Sequence, residues 1–98
     1  MSKEDLVITD NEFQRQFETT INDTLATIEY SQQERKIFLT KMRMPEGTEH
    51  RQEDFIIAVL AEIKERNTSV VPTSPEIAGF MRKNRRKYKE LLPVGMNI

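Results

Sequence analysis

The chain has 98 residues, 37% of them hydrophobic and 32% charged, with a formal net charge of −1. Those totals leave room for one domain with one modest core, and they are too apolar for a disordered chain. The absence of cysteine excludes disulfides and thiolate metal sites and favours a reducing compartment.

The opening Met1–Asp5 is polar and acidic, without the basic and apolar regions of a secretion signal. The longest unbroken apolar run, Phe55 to Ala61, is seven residues, far short of the roughly 20 of a membrane-spanning helix. The expectation is a cytoplasmic protein with no membrane partner. Charge is lopsided: residues 1–67 hold nine Lys/Arg against fourteen Asp/Glu, and residues 68–98 hold six against two. A basic end on an acidic body is one reading of that polarity, and internal pairing of the two is the other.

In chain order, residues 1–9 read as an N-terminal arm carrying the apolar patch Leu6-Val7-Ile8. Thr9-Asp10-Asn11-Glu12 has the form of a capping box, with Thr9 at the N-cap and Glu12 reaching back. Phe13, Phe17, Thr20, Ile21, Thr24 and Ile28 then recur at three- and four-residue steps, which predicts an amphipathic helix over 10–29. Ser31-Gln32-Gln33-Glu34 is a second capping box, and it predicts a helix over 32–43 carrying Ile37, Phe38, Leu39 and Met42. A single helix over 10–44, uninterrupted by Gly or Pro, is the alternative.

Met44-Pro45-Glu46-Gly47 reads as a loop, with Thr48 capping a third helix that runs to about Asn67. Acids in its first turns and Lys64 and Arg66 in its last follow the helix dipole. Its apolar run, Phe55 to Ala61, marks it as the buried central helix. An extended connector, residues 67–73, leads to Ser74 as cap and Pro75 at the first helical position. The last helix is expected to end at Leu92, with a tail over 93–98.

Little equipment for catalysis is visible. The single histidine, His50, lies among Glu46, Glu49, Glu53 and Asp54, acids that a helix N-terminus attracts without any metal. No serine or threonine has a histidine placed to activate it, and Gly47, Gly79 and Gly95 are too scattered for a phosphate loop. The expectation is a non-enzyme with no cofactor, no metal and no small-molecule substrate.

The informative segment is Pro75 to Leu92. On a helical wheel Ile77, Phe80, Met81, Asn84, Tyr88, Leu91 and Leu92 occupy an arc of about 120°. Arg82, Lys83, Arg85, Arg86, Lys87 and Lys89 take the rest. Six cations within eight residues repel one another unless an anion compensates, and phosphate backbones are common compensators. These six are the candidate nucleic-acid-binding residues.

The same stretch, Val71-Pro72-Thr73-Ser74-Pro75-Glu76-Ile77-Ala78, resembles the entry to the helix-turn-helix of LexA-type and related winged repressors. The resemblance puts Ala78 where the two helices pack and Met81 at the close of the first. It puts Tyr88 and Leu91 on the inner face of the recognition helix. At the turn position, usually glycine, stands Arg82, followed by Lys83 where an apolar residue is usual. One continuous helix fits the wheel better, and either geometry exposes the same cations.

The fold expected from the sequence is all-α: a single domain of three or four helices with a basic, helix-turn-helix-like C-terminal helix. The expected function is a small DNA-binding transcription regulator acting as a homodimer, with the basic helix on phosphate. The alternative is a helical protein–protein interaction module docking through Leu6-Val7-Ile8 or the segment Val94 to Ile98.

Overall fold

Two adjacent residues, Asn22 and Asp23, take positive φ values of 53° and 64°. That pair makes the two-residue turn of a β-hairpin, whose primed geometry matches the twist of the strands it joins. In the computed structural model, which describes residues 6–96, the turn connects β2 (Gln16–Ile21) to β3 (Thr24–Gln33). A second two-residue connection, with Glu34 at φ 55°, leads into β4 (Lys36–Arg43). A short β1 (Thr9–Asn11) pairs with β2. After α1 (Gln52–Glu65), β5 (Ser69–Pro72) pairs with β4 in parallel. The sheet is mixed and five-stranded, in the order β1-β2-β3-β4-β5.

The fold is therefore α+β, and the all-α helical bundle expected from the sequence is corrected. Residues 10–29 and 32–43 are strands and turns, not one helix or two. The first capping box falls on β1 and its turn, where Asn11 Oδ1 accepts the Gln14 N–H at 3.0 Å. The second falls on the end of β3 and its hairpin turn. The core-facing residues alternate as strands require: Phe17, Thr19 and Ile21 on β2, Ala26 and Ile28 on β3, Ile37 and Leu39 on β4. Alternation resets once, where Glu29 pairs with Lys41 but Tyr30 pairs with Leu39. Thr40 is the extra residue of this bulge, and its hydroxyl donates to the Glu29 carbonyl at 3.2 Å.

The α1 helix crosses from β4 to β5 over one face of the sheet and buries Phe55, Ile56, Val59, Leu60 and Ile63. These join the strand residues above in a single core. Leu6 and Ile8 of the expected arm pack against that core, and the Thr19 hydroxyl donates to the Val7 carbonyl. Met1–Asp5 of the arm and Asn97–Ile98 of the tail lie outside the described residues. Residues on the alternate pleat, among them Gln16, Glu18, Ser31 and Phe38, form a second sheet face that is half-buried, the usual condition of antiparallel sheets with one wet side.

A polar network closes the β1 edge. The Tyr30 hydroxyl donates to Asp10 Oδ1 at 2.6 Å, and Arg66 reaches Asp10 at 2.9 Å and Glu62 at 3.1 Å. The Arg66 guanidinium also lies 5.5 Å from the centre of the Phe17 ring. Burial, the Asp10 hydrogen bond and the Asp10 charge together push the Tyr30 hydroxyl up to about 12. No helix among the described residues is long and apolar enough to cross a membrane.

Candidate functional site

Pro75 opens α2 (Pro75–Lys83) at its first turn, as the sequence signals. Ser74 precedes it with its hydroxyl donating to Glu76 rather than to a helix N–H, at 2.8 Å. The helix stops at Asn84, whose φ of −116° and ψ of 40° leave the helical region. The Asn84 side-chain amide donates to the Phe80 carbonyl at 2.9 Å and so caps the end it creates. One further turn, α3 (Arg85–Tyr88), and a 3₁₀ turn over Lys89–Leu91 follow.

Neither geometry expected for residues 75–92 survives. The continuous helix is broken at Asn84, two residues beyond the position the repressor resemblance gives to the turn. The helix after the break is four residues long, too short to lie along a major groove and read bases. The helix-turn-helix reading is corrected accordingly. The apolar seam does pack: Ile77, Phe80, Met81, Tyr88 and Leu91 are buried, and the Phe80 and Tyr88 rings sit 5.6 Å apart.

Arg82, Lys83, Arg85, Arg86, Lys87 and Lys89 are all exposed. They are distributed over the end of α2, all of α3 and the 3₁₀ turn. Lys83 Nζ pairs with Glu53 on α1 at 2.8 Å, and both partners are well exposed, so the bond adds little stability. Lys87 Nζ lies 5.6 Å from the centre of the Tyr88 ring. Among the described residues Arg82, Arg86 and Lys89 form no ion pair.

Lys87 also borders a cavity of about 620 Å³ that the sequence did not reveal. One wall is α1, through Ile57, Leu60, Ala61 and Lys64; the opposite wall is Lys87, Tyr88, Glu90 and Leu91. Between them lie Asn67 and Thr68 from the α1–β5 connection, Ser69 at the start of β5, and Arg35 from the β3–β4 turn. The connection is shaped by a Schellman end: Asn67 takes φ 54°, its N–H reaches the Lys64 carbonyl, and the Thr68 N–H reaches the Ile63 carbonyl. Arg35 is held nearby because its carbonyl accepts the Ser69 N–H at 2.8 Å. Burial raises the Tyr88 hydroxyl pKa.

Arg35, Lys64 and Asn67 are the residues that sequence reading missed. Arg35 falls within the helix the sequence predicts over 32–43 and Lys64 within the last turn of the third helix, and nothing local in either places it opposite Lys87. His50 is exposed on a 3₁₀ turn over Glu49–Arg51, and Arg51 pairs with Asp54 at 2.8 Å. Among the described residues no group of three or more His, Asp or Glu is arranged to hold a metal.

No protein-family model matches the chain, and no curated protein matches it.

Proposed function

We propose that the chain is a non-enzymatic binding domain for nucleic acid, held through its phosphates by the basic segment Arg82 to Lys89. One observation carries this reading. The segment's exposed cations continue, through Lys87, into a cavity whose other cations, Arg35 and Lys64, come from two separate elements. Positive charge thus converges from three parts of the fold on one region, which a merely solvated helix face has no reason to do. Base-edge readout by a groove-bound helix forms no part of the proposal.

Salt titration of oligonucleotide binding, followed by fluorescence anisotropy, tests it. Each phosphate neutralised contributes roughly −0.9 to the slope of log affinity against log salt on duplex and roughly −0.7 on a single strand. The double substitution Arg82→Glu/Arg86→Glu is expected to weaken binding and flatten the slope together. A parent protein that binds no oligonucleotide at low salt overturns the reading.

A further inference from the structure

We propose that the cavity between α1 and the C-terminal turns receives one unstacked nucleotide, which makes the ligand single-stranded nucleic acid rather than duplex. The inference rests on the phosphate-binding reading above and goes beyond it by naming the form of the strand.

Its volume of about 620 Å³ falls within the roughly 300–1,000 Å³ range typical of sites for small organic groups. The lining combines three kinds of surface. Ile57 and Ala61, exposed above the buried Leu60 and Leu91, supply apolar area for the flat face of a base. Asn67 and Ser69 supply amide and hydroxyl groups that can meet its hydrogen-bonding edge. Arg35, Lys64 and Lys87 supply the charge that a phosphate on the same nucleotide requires, three cations against the one carboxylate of the lining, Glu90.

An acidic peptide would satisfy the cations equally well. An aliphatic anchor from such a peptide, however, would cover the polar lining without bonding to it, at the cost of desolvation. A base satisfies both surfaces at once, and bases in a single strand are free to splay into such a recess. In a duplex the base must first be extruded.

The test compares, at one salt concentration, a labelled single strand, the same strand with abasic residues, its duplex, and an acidic peptide of equal charge. The single strand is expected to bind about tenfold more tightly than the abasic strand or the duplex, as loss of one base contact implies. Ala61→Trp fills the recess from an exposed position on its wall and should bring the single strand down to the abasic level. Ile57→Trp, at a position 40% exposed, serves as a second filling variant, and unchanged melting temperatures show that either is folded. If duplex binds as well as single strand and neither filling variant matters, the cavity inference falls while the phosphate reading stands. If no oligonucleotide binds at low salt, both fall. If the peptide outcompetes the strand and the filling variants abolish its binding, the cavity belongs to a protein partner and both readings are overturned.

Discussion

Phe55 and Tyr30 illustrate how differently single residues hold this structure. Phe55 is fully buried, at 0% exposure, where α1 meets the sheet. Truncation to alanine removes its transfer free energy and leaves a cavity, so Phe55→Ala is expected to cost about 3–5 kcal/mol. In a domain of this size that is a large share of the total stability, and a melting temperature equal to the parent's would show that α1 is not the central helix. Tyr30 acts through a proton. Its hydroxyl is pushed up to about 12 by burial first and the Asp10 hydrogen bond second, so the folded state keeps the proton over a range where the unfolded chain, near 10, loses it. The stabilisation is complete below about pH 10 and is lost as pH rises towards 12. Tyr30→Phe should therefore flatten the alkaline fall in stability across that window, and tyrosinate absorbance should show Tyr30 titrating above the ordinary range in the native protein.

At the scale of elements, what the sequence discloses depends on whether periodicity and burial coincide. In α1 they do: Phe55, Ile56, Val59, Leu60 and Ile63 are all buried, and the helix was legible with its polarity of acids first and bases last. Pro75 likewise marked the start of α2 correctly. The strands misled because the helical stripe drew on Thr20 and Thr24, which are exposed, and passed over Thr19 and Ala26, which are buried on alternate positions. The larger Phe13, by contrast, is 93% exposed and supplied a false four-residue step to Phe17. On β4, Phe38 stands between the buried Ile37 and Leu39 and blurs alternation into a run. The surviving local signal was the pair Asn22-Asp23 between β-branched stretches, a hairpin turn written with Asp where Gly is usual. The candidate site divides along the same line: Arg82 to Lys89 are adjacent in sequence, whereas Arg35 and Lys64 reach the cavity only through the tertiary fold. The turn offers a direct check. Asp23 holds φ 64°, a conformation that costs an L-residue roughly 1–2 kcal/mol and glycine nothing, against glycine's greater entropy loss on folding. Asp23→Gly is expected to raise stability by up to about 1 kcal/mol in denaturant unfolding, while a helix through this segment would be weakened by it.

Over the whole molecule the question is whether the acidic body neutralises the basic end. The net charge is close to zero, which by itself is compatible with thorough internal pairing. The structure limits that pairing: Lys83 reaches Glu53, but Arg82, Arg86 and Lys89 form no ion pair among the described residues. Arg86 and Lys89 lie three residues apart on consecutive turns, close enough for like charges to destabilise one another. Removing both charges should then relieve repulsion. Arg86→Gln/Lys89→Gln is expected to raise the melting temperature by about 1–3 °C at low salt, taking a few tenths of a kcal/mol per like-charged pair and the steepness usual for a domain this small. Added salt screens the repulsion in the parent and should close the gap between the two proteins. An internally neutralised segment gives the opposite result: the variant loses attractions, melts lower than the parent at low salt, and approaches it from below as salt rises. The sign of that one difference decides whether Arg82 to Lys89 is a closed part of the fold or a surface held ready for an external anion.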